Sequence, residues 1–524
     1  MRRKVLVIGL DGASWELLVP LIEEGEILNI RRLVENGVYG DLTSSIPPLT
    51  FPAWKCYSTG KNPGKFGVYS LAGIDFLKKR IIPNNSTFVE SKEIWDYISE
   101  KELKVGIINM PTTFPPKKVN GFMVTGPFSI IGRHTFPEDF KNELDNFDYK
   151  IIPEYYMTRN MEDLDEAKRV ISSRFAVARN MIKKKHVDFL HLTIFFTDTI
   201  QHFRWDSDEV KDVWKCVDEN IGFLLHELDE KWNVIIMSDH GFTKLKGRLY
   251  LNTWLERMGY LKLKINYDFG DFLQILDKVG IGFDVIYRIS KKLGIFSLLT
   301  KVFSEERQRK LMRMSPSWGR KLEGMETKID WYHSKVVPIA PLIYLNSCRL
   351  TDPKIVLLLK KLKNIENPET GEKIIKEVYK RKDIYWGEYV KKAPDLIIIP
   401  NKGYEISDIL KKGVIFSFEG DKWKGTHTQN GIFIANGPCI RSGIRIKGIE
   451  ILDLAPTILH MMDIAIPKDM DGRVLTEIFK GDLANQVLKY RNFIEENGKS
   501  KKFELNKEDE EIIVKRLKKL GYIA

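Results

Sequence analysis

The 524-residue chain has only four cysteines, and no two of them form a Cys-x-x-Cys pair. Scattered thiols of this kind argue against a disulfide framework and against a thiolate metal site. We expect buried free thiols instead. The four residues are Cys56, Cys216, Cys348 and Cys439.

Long apolar runs are also missing. No stretch reaches the roughly 18 uncharged apolar residues that a membrane-spanning helix needs. The first apolar run, Val5–Leu10, is shorter than the hydrophobic region of a signal peptide and is followed by Asp-Gly. We therefore expect a cytoplasmic protein without a transmembrane segment.

Acidic residues are outnumbered, because 83 Lys and Arg stand against 71 Asp and Glu, which gives a net charge of +12. Such a charge favours anionic substrates through long-range steering, although Lys-rich surfaces also occur in heat-adapted proteins. Contact with nucleic acid or a membrane surface is an alternative that is supported only by the positive charge. The basic stretch Tyr287–Lys321 fits such a contact, or equally a solvated helix face. The oligomeric state stays open.

Strand-like and helical patterns alternate through the first 250 or so residues. Amphipathic stretches at Glu162–Lys185 and Ser207–Glu230 predict helices between the strands. This alternation indicates an α/β fold with a largely parallel central sheet flanked by helices. The predicted strands are Val5–Leu10, Val105–Asn109, Phe122–Thr125, Val187–Ile194 and Val234–Met237.

The pattern changes after Tyr250. The following segment is rich in Lys and aromatic residues, has a helical pattern at Phe272–Leu293, and contains none of the candidate ligands described below. We expect the core pattern to resume around Asp395–Ile399. Because the candidate ligand His427 lies beyond the break, we interpret the break as an inserted cap. The chain is thus divided into a core of residues 1–254 and 424–484, an inserted cap or specificity region of residues 255–423, and a helical tail of residues 485–524.

Three residues of types that commonly bind metals follow predicted buried strands. Asp11 comes directly after Val5–Leu10, and Asp239 and His240 come shortly after Val234–Met237. In open parallel sheets, ligands bind at the carboxyl ends of the strands. An Asp after a strand also commonly caps the next helix, so each position alone is ambiguous. Their recurrence at strand ends favours a metal site.

Asp198 and His202 are four residues apart, which places both side chains on one face of a helical turn. They are either an ordinary surface pair or two ligands of one ion. His427 lies in the polar, glycine-flanked segment Lys424–Gly431, which we expect to be a loop that brings in a last ligand.

Thr50 follows Pro47 and Pro48, and it stands where a helix can begin. It is either a simple N-cap or a nucleophile, since free N–H groups at a helix start favour an anion beside it. A threonine hydroxyl becomes nucleophilic when a divalent ion lowers its pKa. A second ion about 4 Å away would stabilise the leaving oxygen. Asp and His donors fit two zinc ions, or manganese, better than magnesium or calcium.

These residues lie in motifs that resemble those of the alkaline phosphatase superfamily, in its type I phosphodiesterase/nucleotide pyrophosphatase branch, which includes predicted phosphohydrolase and phosphomutase members. The resemblance implies an alkaline-phosphatase-like fold and a metal-dependent phosphodiesterase. The motifs are Leu10-Asp11-Gly12, Thr50-Phe51-Pro52, Asp198-xxx-His202, Ser238-Asp239-His240-Gly241 and Gly425-Thr426-His427, with further similarity at Asp453–Leu459 and Asp469–Gly472.

The resemblance also implies a role for each residue. Thr50 would be the nucleophile that forms a phospho-threonine intermediate, and it would also contact a metal. One ion would be held by Asp198, His202 and His427, and the other by Asp11, Asp239 and His240.

Two departures from the family pattern concern the substrate. Nucleotide pyrophosphatases carry an Asn shortly after the nucleophile, whereas this chain reads Phe51-Pro52-Ala53. The oxyanion donor is therefore open between the backbone amides of Thr50 and Phe51, Lys55 and Arg204. The insertion does not match a nucleotide-binding pattern.

Three other functions remain as alternatives. A phosphomonoesterase or phosphomutase of the same superfamily is the first, although cofactor-independent mutases use Ser where this chain has Thr50. A sulfatase is disfavoured because the pattern needed for formylglycine is absent. A non-catalytic anion-binding protein on an enzyme scaffold is opposed by the complete set of ligands.

Overall fold

The computed structural model describes residues 3–153, 164–264, 329–346, 348–411, 413–418, 423–492 and 505–520. The strands within these residues are β1 (Lys4–Leu10), β2 (Val38–Thr43), β3 (Ala72–Asp75), β4 (Arg80–Pro83), β5 (Val105–Met110), β6 (Gly121–Thr125), β7 (Thr135–Phe136), β8 (Phe189–Ile194), β9 (Trp232–Met237), β10 (Gly241–Lys244), β11 (Gly247–Tyr250), β12 (Val336–Ile339), β13 (Leu342–Leu345), β14 (Ile375–Lys380), β15 (Leu396–Pro400), β16 (Tyr404–Ser407), β17 (Phe416–Ser417), β18 (Gly425–Thr428), β19 (Asn430–Asn436), β20 (Ile444–Glu450), β21 (Ile466–Pro467) and β22 (Tyr490–Arg491).

The α-helices in the same residues connect and cover these strands. They are α1 (Trp15–Glu23), α2 (Leu28–Glu35), α3 (Thr50–Thr59), α4 (Pro63–Phe66), α5 (Ile94–Ser99), α6 (Lys141–Leu144), α7 (Leu164–Lys185), α8 (Phe196–Arg204), α9 (Asp208–Leu225), α10 (Leu251–Arg257), α11 (Pro353–Lys363), α12 (Arg381–Ile384), α13 (Leu454–Met461) and α14 (Lys507–Leu520).

A nine-stranded sheet forms the centre of the larger unit, in the order β20-β2-β19-β9-β1-β8-β5-β6-β7. Strands β9, β1, β8, β5 and β6 run parallel, while β19 pairs antiparallel with both β2 and β9. The inner strands are buried on both faces, which explains why their sequences are apolar runs without alternation. The predicted α/β class, the largely parallel sheet and the five predicted strands are confirmed.

A second hydrophobic cluster is formed by buried residues between positions 249 and 406. It includes Leu249, Leu251 and Trp254 and surrounds a four-stranded sheet in the order β12-β13-β15-β14. The expectation that the core pattern resumes around Asp395–Ile399 is wrong, because Leu396–Ile399 belong to β15 of this second sheet. An apolar run of five residues fits either sheet equally well.

Two sequence-based expectations lie outside the described residues. These are the helical pattern at Phe272–Leu293 and the basic stretch at Tyr287–Lys321. Within the described residues, no helix combines the length and apolarity needed to cross a lipid bilayer.

The segment around α12 joins the second sheet to the loop that precedes α3. The Tyr385 hydroxyl donates to the carbonyl of Ile46 at 2.7 Å, four residues before Thr50. The next residue, Trp386, donates from its indole nitrogen to Asp471 at 2.8 Å. Tyr385 and Trp386 therefore connect the region of the second sheet to the loop before Thr50 and to Asp471.

The C-terminal helix α14 packs on the core through Ile513 and Leu517, which are buried. Glu510 at the beginning of this helix forms an ion pair with Arg80 of β4, 3.0 Å apart. The helical pattern predicted for the tail is thus present at residues 507–520, and the boundaries of the three predicted parts stay a prediction.

Candidate metal centre

The carboxyl edge of the parallel strands brings the candidate residues together. Asp11 follows β1, and Asp239 and His240 follow the neighbouring strand β9. Thr50 is the first residue of α3, and its N-cap is Leu49, so Thr50 is not itself a cap. All of these side chains except that of Leu49 are buried.

The first group of candidate ligands consists of Asp198, His202 and His427. Helix α8 carries Asp198 and His202 one turn apart, as the spacing predicted. Nε2 of His427 lies 3.1 Å from Oδ1 of Asp198 and 3.0 Å from Nε2 of His202. Nε2 of His202 lies 3.5 Å from the same carboxylate oxygen. Ligand atoms that share one tetrahedral ion at ~2.1 Å lie roughly 3.4 Å apart, so this triangle has the required size.

The loop expected around His427 is instead the short strand β18, which pairs antiparallel with β10. In this pair His427 lies opposite Phe242, and Phe242 is two residues after His240 in the sequence. A side chain added at Gly425 would collide with the ring of Phe242 and with the carbonyl of Gln201. Glycine therefore lets β18 approach, and a fixed strand rather than a swinging loop positions His427.

Asp11, Asp239 and His240 form the second group. Nε2 of His240 lies 3.2 Å from Oδ2 of Asp239 and 3.7 Å from Oδ1 of Asp11. Both of these carboxylate oxygens are buried and have no hydrogen-bond partner. The other oxygens are occupied, since Asp239 accepts from the amide of Gly12 at 3.2 Å and Asp11 from the indole of Trp54 at 3.0 Å.

His240 also lies next to the first group and to the nucleophile candidate. Ligand atoms of His240, Asp198 and His427 lie within 4.8 Å of one another. Oγ1 of Thr50 is 3.5 Å from Nε2 of His240. The two groups and the threonine hydroxyl therefore form one continuous site.

Backbone carbonyls set the orientation of all three imidazoles. Nδ1 of His202 lies 3.0 Å from the carbonyl of Gly425, Nδ1 of His427 lies 3.2 Å from that of Pro48, and Nδ1 of His240 lies 3.2 Å from that of Gly241. A carbonyl only accepts, so each Nδ1 carries the proton. When the ring is neutral, each Nε2 therefore has a lone pair that points into the site, which is the arrangement of metal-binding histidines.

The carboxylates of the second group repel each other. Burial, followed by the charge of Asp198, raises the pKa of Asp239 to about 7. Burial, followed by the charge of Asp239, raises the pKa of Asp11 well above its usual range. Burial lowers the pKa of His240 well below its usual value, so this ring does not neutralise them. The protein alone therefore disfavours negative charge on these two carboxyl groups, and a bound cation would favour it.

In the first group the charges are better matched. Burial opposes ionisation of Asp198, but His202 and His427 outweigh burial and lower its pKa. Burial lowers the pKa of His202 to about 3. Burial lowers the pKa of His427, but its hydrogen bond to Asp198 and the charges of Asp198 and Asp239 together outweigh burial and raise it.

The donor set fits two divalent ions. It offers three imidazole nitrogens and three carboxylates, and two of the carboxylates have an unpartnered buried oxygen. Borderline cations such as Zn²⁺ take mixed N and O ligands of this kind, whereas Mg²⁺ and Ca²⁺ prefer oxygen alone.

The two side chains suggested as substrate contacts have different surroundings. Lys55 is fully buried, and its ammonium donates to Glu93 at 2.6 Å. Five residues along a helix correspond to a rotation of about 140° from Thr50, so Lys55 turns away from the site. Arg204 is the last residue of α8 and is partly exposed. Its role as a substrate contact stays a prediction, and that of Lys55 is not supported.

Trp54 was not among the residues singled out from the sequence, although it touches the site through Asp11. Its position four residues after Thr50 was a usable signal, because a helix that begins at Thr50 places both side chains on one face. The carbonyls of Gly425 and Pro48 carried no sequence signal.

The sequence matches the family described as "Type I phosphodiesterase / nucleotide pyrophosphatase" over residues 5–429. No curated protein sequence matches the chain significantly. Similar solved structures include human ectonucleotide pyrophosphatase/phosphodiesterase 5, which is 16% identical, with a TM-score of 0.50 over 88% of this chain and 96% of that one.

Two further structures cover the same share, 88% of this chain and 96% of theirs. Murine ectonucleotide pyrophosphatase/phosphodiesterase 5, solved as an inactive threonine-to-alanine variant with AMP, is 15% identical with a TM-score of 0.51. Phosphonoacetate hydrolase from Sinorhizobium meliloti 1021, solved with phosphonoformate, is 12% identical with a TM-score of 0.53. At these identities the structures support the fold. The family match and the fold together show that this chain is a phosphoric ester hydrolase of the type I phosphodiesterase/nucleotide pyrophosphatase family, within the alkaline phosphatase superfamily.

Proposed function

We propose that the protein is a phosphodiesterase of the nucleotide pyrophosphatase type that uses Thr50 as its nucleophile and two divalent ions, zinc or manganese. The observation that carries the proposal is the position of the Thr50 hydroxyl, 3.5 Å from Nε2 of His240, which faces both ligand groups. A nucleophile next to two groups of metal ligands is what two-metal phosphoryl transfer requires.

The proposed ligands divide as the family resemblance implies. One ion is held by Asp198, His202 and His427, and the other by Asp11, Asp239 and His240. When bound, the ions lower the pKa of the threonine hydroxyl and offset the negative charge of the phosphoryl group.

Oγ1 of Thr50 attacks the phosphorus atom, the new Oγ1–P bond forms, and the bond from phosphorus to the leaving oxygen breaks. The hydroxyl proton leaves to solvent, and the leaving oxygen takes up a proton. A water molecule then attacks the phosphorus of the phospho-threonine, its oxygen stays on phosphorus, and the Oγ1–P bond breaks. The water gives up a proton, and Oγ1 of Thr50 takes up a proton to become a hydroxyl again.

The start of α3 is the best candidate for the oxyanion donor. Thr50 and Phe51 are the first two residues of this helix, where backbone N–H groups have no partner within the helix. Pro52 has no N–H group, so these two amides are the donors that the first turn offers beside the nucleophile. A phosphoryl oxygen beside Thr50 would also lie at the positive end of the helix dipole.

The related structures support both the proposed threonine nucleophile and the proposed phosphorylated substrate. A murine relative with AMP in its structure is inactive as a threonine-to-alanine variant, and the hydrolase from Sinorhizobium meliloti was solved with phosphonoformate. We propose a small phosphorylated anion as the substrate of this chain as well. The cytoplasmic location expected from the sequence stays a prediction.

The test is a rate comparison of a generic aryl phosphodiester, phosphomonoester and sulfate ester, each with zinc, manganese and magnesium. We expect the diester to be hydrolysed fastest and zinc or manganese to support turnover better than magnesium. A clear preference for the monoester would favour a phosphomonoesterase or phosphomutase and overturn the proposed reaction.

The nucleophile is tested by Thr50→Ala, with Thr59→Ala as a matched control in the same helix. Thr59 is buried, but its hydroxyl donates to the carbonyl of Lys55. We expect Thr50→Ala to lower diester turnover by at least ~10³-fold with two ions still bound, because the nucleophile is lost and six ligands remain. Retention of turnover by Thr50→Ala would show that another group attacks phosphorus.

A further inference from the structure

The indole of Trp54 joins the helix of the nucleophile to one metal ligand. Trp54 is fully buried on α3, four residues after Thr50, and its Nε1 donates to Oδ2 of Asp11 at 3.0 Å. Oδ1 of the same carboxylate has no hydrogen-bond partner and lies 3.7 Å from Nε2 of His240. The indole thus occupies one oxygen of Asp11 and leaves the other for an ion.

The backbone of β1 makes room for this indole. Gly9 lies in the interior of the strand, where glycine normally weakens a sheet. A Cβ atom at Gly9 would collide with Cη2 of Trp54 and would lie 3.0 Å from its Cζ3. A close approach to Trp54, two residues before Asp11, accounts for glycine at this position.

Two neighbouring rings also contact the indole. Trp54 makes edge contacts with Tyr57 and with His191, whose ring centroids lie 5.9 and 5.8 Å away. The hydroxyl of Tyr57 lies 3.0 Å from Nδ1 of His191, and Nε2 of His191 lies 2.7 Å from the hydroxyl of Thr193. The rings that hold Trp54 are therefore themselves held by hydrogen bonds.

We infer that Trp54 is a positioning residue that orients Asp11 for single-oxygen binding of one metal ion and couples that ion to the helix of Thr50. The inference rests on the proposed function, since it requires an ion at Asp11. Hydrogen bonds behind a ligand orient it, and their loss commonly costs ~10 to 100-fold in metal affinity.

The experiment compares Trp54→Phe with Trp95→Phe as apoproteins titrated with zinc against a chelator. Trp95 is a matched control, because it is also fully buried and its indole nitrogen has no hydrogen-bond partner. We expect Trp54→Phe to bind one of its two ions ~10 to 100-fold more weakly and the other unchanged. Trp95→Phe should bind both with wild-type affinity. Excess zinc should restore the diesterase rate of Trp54→Phe, which lost folding would not allow.

Gly9→Ala is a second probe that keeps the indole donor but displaces the ring, and we expect it to weaken the same single ion. Thermal unfolding of each apoprotein shows whether it folds. Unchanged affinity for both ions in Trp54→Phe, or equal weakening of both, would overturn the role of Trp54. Fewer than two ions on the wild-type protein would instead overturn the proposed two-metal function.

Discussion

Two buried charge clusters lie on different faces of helix α3, and they are built in opposite ways. On one face, Thr50 and Trp54 point toward the proposed metal ligands, where Asp11 and Asp239 each keep a buried oxygen without a partner. On the other face, Lys55 points toward Glu93. We call Lys55, Glu93, Ser58, Asp96 and Lys117 the Glu93 cluster.

The Glu93 cluster is complete in itself. One carboxylate oxygen of Glu93 accepts from Lys55 at 2.6 Å and from Ser58 at 2.9 Å, and the other pairs with Lys117 at 2.8 Å. Lys117 also pairs with Asp96 at 2.5 Å. Two positive and two negative side chains therefore balance.

The proposed metal ligands show no such balance of charge. Three carboxylates face three imidazoles, and burial keeps His202 and His240 neutral by lowering their pKa values. The comparison teaches that burial of charge does not by itself indicate a metal site. A metal site is indicated by buried carboxylates that lack both a positive partner and hydrogen bonds to one oxygen, because a buried charge without a partner is strongly unfavourable.

The largest effect should follow from Asp239→Asn. This change keeps the acceptor for the amide of Gly12 but removes one charge from the metal side. We expect bound zinc to fall from two ions to one and diester turnover to fall at least ~10³-fold, which corresponds to ~4 kcal/mol. The apoprotein should be no less stable than wild type, since a repelling carboxylate is gone.

Metal analysis, rate measurements and chemical denaturation of the apoprotein check this prediction. If the apoprotein of Asp239→Asn were clearly destabilised, the carboxylate would have a structural role like that of Glu93. The contrast between the two clusters would then be wrong.

The comparison also separates what the sequence could predict from what it could not. Asp11, Asp239 and His240 were identifiable because they follow apolar runs, and the carboxyl ends of parallel strands share one edge. Asp198 and His202 were identifiable from helical spacing. Local patterns of this kind need no knowledge of tertiary partners.

The errors concern residues whose environment is set by distant segments. The sequence suggests Lys55 as a substrate contact, but its ammonium pairs with Glu93, 38 residues away. His427 looked like a loop residue, but it pairs in a strand with a segment that begins at Gly241. The run Leu396–Ile399 was assigned to the core, and it belongs to the second sheet. Such pairings depend on tertiary contacts that a local pattern does not contain.

Glu93→Gln should produce the next largest effect. We expect it to lower the free energy of unfolding and to leave metal binding unchanged. It leaves the ammonium of Lys55 buried without a charged partner, which costs about 3 kcal/mol or more of unfolding free energy. Zinc stoichiometry should stay at two ions, because the Glu93 cluster contains no ligand. Glu100→Gln is the control, since Glu100 forms a more exposed ion pair with Lys92 at 2.8 Å, and such pairs contribute about 1 kcal/mol or less.

Chemical denaturation measures the difference between the two variants. A similar small loss in both would show that the buried pair adds little to folding. Loss of an ion from Glu93→Gln would show that the two faces of α3 are coupled.

The smallest effect is a pH dependence of the same variant. Burial raises the pKa of Glu93, but Lys117 and Lys55 outweigh burial and lower it to about 2. A carboxyl group with a lowered pKa in the folded state stabilises the protein fully above its unfolded pKa of about 4.3, and this contribution is lost as the pH falls toward 2.

The advantage of wild type over Glu93→Gln should therefore be constant between pH 7 and 5. It should shrink by ~2 kcal/mol on going from pH 5 to pH 3, because protonated Glu93 resembles Gln. Urea denaturation of both apoproteins in the presence of chelator measures this difference without a contribution from released metal. A difference that stays constant down to pH 3 would mean that the charge of Glu93 does not hold the cluster together, and the contrast with the metal ligands would then rest on hydrogen bonding alone.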